Sequence, residues 1–277
     1  MLILETHDPR WSHFVASCRE SLPFHHPSWT DLLFDCYGYR AFALAVTDGA
    51  GEITAGLPVM EVKRPFGKKR WVSLPFTDEC PPLGATVEGM EELVADLDRT
   101  RRAAGVSSLE VRAALEGENA HPQTSAVLHR LRLRPDVDDL FRTIKRSNQR
   151  LIRQAERKGV VVQRAETMGD LADVFYGLHL QTRRRQGVPV QPRRFFRLLW
   201  ERVLAPGFGF LLLAYENDVA IAGAVFLAWN GTLSYKFGAS DPDFWQLRAN
   251  NLTMWTAIEW GCTNGYEQFD FGRTDLD

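Results

Sequence analysis

The stretch Gly231-Thr-Leu-Ser-Tyr235-Lys-Phe-Gly-Ala-Ser240, followed by Asp241-Pro-Asp243, Leu247-Arg-Ala-Asn250-Asn-Leu-Thr-Met-Trp255-Thr-Ala-Ile-Glu-Trp-Gly261 and Tyr266-Glu-Gln-Phe-Asp270-Phe-Gly-Arg273, decides the fold. The first segment alternates as a strand does, with Leu233, Tyr235 and Phe237 on one side and Ser234, Lys236 and Gly238 on the other. Leu252, Trp255, Ile258 and Cys262 recur at a helical period, and Met254, Ala257 and Gly261 line a second stripe. A helix apolar on so much of its surface is expected to lie buried against a sheet. Asn264-Gly265 is a helix stop. Tyr266–Arg273 is short and aromatic, which reads as a buried strand. The order strand, turn, helix, strand leaves the turn before the helix free to present backbone N–H groups to an anion.

Working outward, Gly209–Tyr215 and Ala220–Trp229 read as strands hinged at Glu216-Asn217-Asp218. Upstream lie helices over Asp170–Arg185 and Arg193–Leu204, a strand Val160–Arg164, and one long helix Val137–Lys158 ended by Gly159. Ser125–Leu133 reads as a strand, broken at Arg134-Pro135-Asp136. In the N-terminal half, Leu2–Glu5 is a strand and Pro9 and Pro27 open helices. Strands Arg40–Val46 and Ile53–Val62 flank Asp48-Gly49-Ala50-Gly51, a hairpin signal. Strand Lys69–Leu74, helix Met90–Ala103 and strand Ser108–Ala113 follow. The halves share one order of elements, without a residue-level repeat. This predicts two similar α/β domains, 1–134 and 135–277, each with a mixed sheet.

Composition sets bounds. An apolar fraction of 45% can build a core, and a net charge of −2 points neither to DNA nor to a membrane surface. No apolar run reaches the ~18–20 residues that span a bilayer. The N-terminus lacks a basic segment leading into a long apolar one, so a cytoplasmic protein is expected. Cys18, Cys36, Cys80 and Cys262 form no close pair and read as free thiols. Adjacent His25-His26 lack a third ligand, so no metal is expected. Asp78 and Glu79 precede Cys80 and are expected to raise rather than lower its pKa, which argues against a nucleophile.

Several segments carry a family resemblance. Lys145, Asn148, Arg150, Ile152-Arg153, Ala155 and Gly159-Val160 resemble a signature of Fem-type proteins, as do Thr182-x-x-Arg185-x-Gly187 and the downstream Phe195-Phe196. Asn250-Asn251, Trp255, Ile258, Gly265 and Phe269-Asp-Phe-Gly-Arg273 are similar to the family's C-terminal signature. His26-Pro-x-Trp29, Gly56-Leu57-Pro58 and Ser73-Leu-Pro-Phe76 extend it N-terminally. The chain thus resembles FemAB-like members of the N-acetyltransferase (GNAT) superfamily, in particular the group associated with exopolysaccharide and exosortase systems.

The resemblance implies tandem GNAT-like domains and transfer of an acyl or aminoacyl group to an amine. The acyl donor would be aminoacyl-tRNA or acyl-CoA, and the acceptor an amine-bearing cell-envelope, peptidoglycan or exopolysaccharide precursor. Three departures stand out. The window matching the superfamily's pyrophosphate loop, Gln246-Leu-Arg-Ala249-Asn-Asn251, has side chains at both glycine slots. Leu32-Leu33 occupies the window where relatives acting on nucleotide-linked precursors carry a lysine. The family pattern also runs on past Gly272-Arg273 to a lysine-bearing segment, so this sequence is read as trimmed or partial.

Acyl transfer to a neutral amine needs donors for a tetrahedral oxyanion. Lys236 and Ser240 are expected to line the donor cleft, with Lys236 countering oxyanion charge; the alternative is a solvated strand lysine. Asp270 either orients the amine or satisfies a strand end, and is expected to pair with Arg273 or Arg185. Tyr235, Asn250, Asn251, Arg185 and Arg273 are read as substrate-binding. Lys145, Arg146, Arg150 and Arg153 are either a phosphate-tracking surface or a solvated helix face. Two other functions stay open: a CoA-dependent N-acetyltransferase on a small molecule, and a non-catalytic binding protein on this fold.

Overall fold

The structure, a computed structural model, describes residues 1–63, 67–117, 120–123 and 126–276. The chain divides into two compact units, Met1–Val127 and Leu128–Thr274.

In the first unit β1 (Leu2–Glu5) leads to α1 (Pro9–Ser17) and α2 (Pro27–Tyr37), then to β2 (Arg40–Thr47), β3 (Ile53–Lys63), β4 (Lys69–Val72) and a short β5 (Leu83–Gly84). After these come α3 (Val87–Ala103) and β6 (Leu109–Glu110). Each helix start has a local cause. Asp8 accepts from the Arg10 N–H ahead of α1, and the Thr86 side chain accepts from Gly89 N ahead of α3. The Asp48 carboxylate closes the β2–β3 turn by accepting from Ala50 N at 2.8 Å and Glu52 N at 3.0 Å. The sheet order is β1-β2-β3-β4-β6, with β5 on β3. Only the last pair of that path, β4 with β6, is parallel. Phe42, Leu44, Leu57, Val59 and Trp71 of the sheet bury against Leu93 and Leu97 of α3.

The second unit begins with β7 (Ala126–Arg132), α4 (Val137–Thr143), α5 (Arg146–Arg157) and β8 (Val161–Arg164). A π-helical turn, Asp170–Phe175, opens α6 (Tyr176–Gln186), and another, Trp200–Leu204, closes α7 (Arg193–Leu199). The remaining elements are β9 (Gly209–Glu216), β10 (Val219–Trp229), β11 (Thr232–Ser240), a 3-10 turn Pro242–Leu247, α8 (Ala249–Thr263) and β12 (Gln268–Asp275). The sheet order is β7-β12-β11-β10-β9-β8. Asn217 and Asp218 both sit at positive φ in the β9–β10 hairpin, as a tight primed turn requires. From β8 to β12 this order repeats β1 to β6: strand, helices, three-strand meander, helix, parallel strand. Sequence and structure thus agree on α/β fold class with two mixed sheets.

Four expectations change. The predicted strand over 125–133 starts, at Ser125, outside the described residues; its described part, β7, hydrogen-bonds to β12 and so joins the second sheet ahead of residue 135. The single long helix Val137–Lys158 is two helices. Ile144 is extended at φ −71°, ψ 154°, and Gln149 Nε2 satisfies its carbonyl at 2.9 Å, so the break needs neither glycine nor proline. The predicted helix Met90–Ala103 starts earlier, at Val87, because Thr86 caps it. Finally, the alternation of β11 breaks at Lys236. Val225 pairs with Phe237 and Phe226 with Tyr235, which leaves Lys236 as the extra residue of a bulge. A bulge flips everything beyond it. Leu233 and Tyr235 accordingly join the core that holds α8, whereas Phe237 meets His179, Phe195 and Phe196 of α6 and α7.

Candidate active site

The site starts from an incomplete pairing. The parallel register of β11 and β12 covers Thr232↔Gln268, Leu233↔Phe269 and Ser234↔Asp270, while β11 continues to Ser240. On the edge facing β12, the last residue of β11, which pairs with Ala222 of β10 on its other edge, is held by a side chain. Thr182 of α6 accepts from Ser240 N at 3.2 Å, and its hydroxyl lies 3.3 Å from Ser240 O. One hydroxyl thereby meets both backbone groups, buried.

A cleft of about 230 Å³ opens there, lined by Ser240, Asp241, Phe244, Trp245, Arg248, Asn250 and Asn251, with Ile221 and Ala249 beneath. Ser240 Oγ accepts from Trp245 Nε1 at 3.1 Å and from Asn250 Nδ2 at 3.3 Å. Both lone pairs are then used, so the hydroxyl proton is what Ser240 can offer. Arg185 lies over the Trp245 ring at 4.9 Å from its centroid. From the other side, Lys158 Nζ and Gln154 Nε2 reach Gln246 O at 2.9 and 3.3 Å and tie the turn to the end of α5.

The helix facing this cleft is uncapped. Arg248, at φ +63°, precedes α8 with no side-chain cap, and the first turn holds no acid. A helix N-terminus in that state favours an anion. The side chains at Ala249 and Asn251 do not seal the cleft: both residues line it.

Lys236 is half-buried at the bulge, with Nζ 5.6 Å from the centroid of the Phe237 ring. The Tyr235 hydroxyl lies against the Gly238 backbone, so closely that a Cβ at position 238 would overlap it. Burial pushes the Tyr235 pKa up. Asp270, buried, accepts from Gly272 N at 2.7 Å and pairs with Arg130 Nε at 3.6 Å. The expected partner Arg185 is occupied by Trp245, and Arg273 is exposed on β12. The correction has a simple source: Arg130 comes from β7, a neighbour of β12 that its distance along the chain conceals.

Ser240, Asn250, Asn251 and, through Trp245, Arg185 therefore converge on one cleft. Lys236 and Tyr235 stand further back on the same strand. Lys145, Arg146, Arg150 and Arg153 are exposed at and along α5, outside the cleft lining. Thr182, Trp245, Arg248 and Arg130 were not read as site residues from sequence; the spacing of Thr182 and Arg185 on one helix was the available signal for the first. Elsewhere, His25 is fully buried and uses both ring nitrogens, accepting from Leu22 N and donating to Pro81 O, each at 2.8 Å. Burial drives the Cys80 thiol pKa up, which keeps it protonated. All four cysteines are free thiols. Among the described residues no helix is long and apolar enough to cross a membrane.

Residues 140–277 match the acetyltransferase (GNAT) domain family. Among solved structures, this chain is similar to FemX, at TM-score 0.74 and 14% identity over 100% of this chain and 90% of that one. It is also similar to a tandem GNAT protein from the clavulanic acid biosynthesis pathway, at TM-score 0.56 and 11% identity over 100% and 90%. L-PGS from Bacillus licheniformis gives TM-score 0.57 and 11% identity over 100% and 79%. At these identities the likeness is one of fold, and the fold is a tandem GNAT-like one. No curated protein matches the sequence.

Proposed function

We propose that the chain, whose residues 140–277 match the acetyltransferase (GNAT) domain family, transfers an acyl or aminoacyl group from a phosphate-bearing donor to an amine. The observation that carries this is the cleft at the end of β11, where an uncapped α8 faces the partly unpaired strand. Donor phosphates would lie at the α8 N-terminus beside Arg248. The neutral amine attacks the acyl carbonyl, a C–N bond forms, and the resulting oxyanion collapses to expel an alcohol or thiol. Lys236 counters the oxyanion charge. Tyr235, kept protonated by burial, can supply the proton the leaving group takes up and regain one from the nitrogen, which must lose a proton to become the amide. The contacts of Asp270 support a positioning role: its carboxylate joins Arg130 of β7 to the Gly272 turn.

Two observations bear on the partners. Arg146, Arg150, Arg153 and Arg157 are spaced four, three and four residues apart along α5 and all exposed, a stripe that suits the phosphates of an aminoacyl-tRNA. Acyl-CoA is the alternative donor. For the acceptor, the resemblance points to an amine-bearing cell-envelope or exopolysaccharide precursor, used on the cytoplasmic side.

The test is a mass-spectrometric assay of acetyl-CoA and charged tRNA against a panel of amines, including amino sugars and lysine-bearing precursors. A new amide is expected from one donor. Lys236→Met should lower kcat about a hundred-fold, on the scale of losing an oxyanion-stabilising donor, with Tm unchanged. Unchanged turnover would remove the role from Lys236. Donor binding without product from any amine would make this a binding protein on a transferase fold.

A further inference from the structure

We propose that Trp245, with Arg185 laid over it, is a stacking platform for an adenine ring, so that the cleft grips the adenosine end of its donor. The proposal rests on the reading of this cleft as the donor site.

Exposure is the first observation. The chain has eight tryptophans, and Trp245, at 49% exposure, is the only one in the exposed class. Its ring is not left mobile. Trp245 Nε1 donates to Ser240 Oγ at 3.1 Å, and the Arg185 guanidinium sits 4.9 Å from the ring centroid. Around it the turn is stitched. Asp241 Oδ1 accepts from Asp243 N at 3.0 Å, Arg248 N donates to Trp245 O at 3.1 Å, and Lys158 Nζ donates to Gln246 O at 2.9 Å. A large aromatic that serves no core, yet is fixed by this many bonds, is preorganised for a planar partner.

The second observation is what lies beside it. Trp245 and the first residues of the uncapped α8, with Arg248 between them, line the same cleft. A ring platform adjoining an anion site matches a nucleotide, base on one and phosphate on the other. Both donor classes, acyl-CoA and aminoacyl-tRNA, end in adenosine, and a purine covers more of an indole than a pyrimidine does. The Arg185 guanidinium adds the flat, weakly hydrated cation that stacks on aromatic faces.

The test is calorimetric titration of the full chain with adenosine 5′-monophosphate and cytidine 5′-monophosphate. The wild type should bind the adenine nucleotide tighter than the cytosine one, the larger ring covering more of the indole. Trp245→Ala should lose about ten-fold in adenine affinity, the effect of removing one base–aromatic stack, and with it the preference. Trp245→Phe should stay within about three-fold of wild type, since a ring remains. Equal affinities for the two nucleotides, wild-type binding by Trp245→Ala, or no nucleotide binding would each overturn the platform. Coenzyme A and a CCA-ended tRNA, titrated next, separate the sources. A loss in Trp245→Ala with one of them names the donor, and no loss with either also overturns the proposal. Wild-type transfer from an acyl-pantetheine, which lacks adenosine, combined with no nucleotide binding, would remove the platform and leave the transferase reading standing. Adenine stacking without transfer would do the reverse.

Discussion

In the first unit, α3 comes after β4 and the short β5 and returns the chain to β6, parallel to β4; in the second, α8 comes after β11 and returns it to β12. The continuation of β4 is stitched shut. Ser73 N donates to Glu110 O, Ser73 Oγ donates to Cys80 O at 3.0 Å and accepts from Arg112 N at 2.8 Å, and Arg112 Nη1 donates to Thr77 O. The continuation of β11 is left open and lined with polar groups. The two helix starts differ in the same sense. Thr86 caps α3 and Glu88 sits in its first turn, whereas α8 has neither a cap nor an acid. One architecture thus occurs twice: a copy closed beyond β4 by internal hydrogen bonds, and a copy with a cleft beyond β11 and an uncapped helix start. On that difference, more than on the fold itself, rests the proposal that puts the chemistry in the second copy.

The comparison can be broken first at its closed half. His25 has a pKa lowered by burial to about 4, against an ordinary 6.5. The unfolded chain takes up the proton at the higher value, so this stability is present above pH 6.5 and is lost as pH falls towards 4. The shift corresponds to about 3 kcal/mol. Denaturant unfolding at pH 7.5 and 4.5 should show a loss of that order, and His25→Gln should flatten it. A pH-independent midpoint would contradict the account of the closed unit.

Next in size is a transplant between the helices. Asn250 and Glu88 occupy the same second helical position of α8 and α3. Asn250→Glu should weaken donor binding about ten-fold by placing a carboxylate against the phosphate, with little change in Tm because the position is exposed. Glu88→Asn should leave donor binding untouched. Equal effects of the two substitutions would erase the distinction between the helices. Smallest is Thr182→Val, which removes the hydroxyl holding Ser240. It should cost about 1–2 kcal/mol of stability and raise the donor KM more than it lowers kcat; an unchanged KM would separate that clamp from the cleft.

Much of the fold could be read from local signals: Asp48-Gly49 and Asn217-Asp218 at the hairpins, Pro9 and Pro27 at helix starts, and the apolar stripe of α8. Where tertiary contacts overrode such signals, the reading failed. Nothing in Leu233–Phe237 marks Lys236 as a bulge, because the extra residue is defined only by its pairing with β10. Ile144 breaks a helix through a Gln149 contact, with no breaker residue. For the site, Ser240, Asn250 and Asn251 followed from the strand–turn–helix order. Trp245 and Thr182 did not, since both act through partners distant in sequence. The pairing of Asp270 with Arg130 depends on β7 crossing to the second sheet.

Hydrogen exchange of the full chain, with and without acetyl-CoA or a charged tRNA, tests the open-and-closed distinction most directly. The predicted result is new protection of amides across 240–251 with one donor and none across 73–89. Protection centred on 73–89, or none across 240–251 with a donor shown to bind, would contradict it.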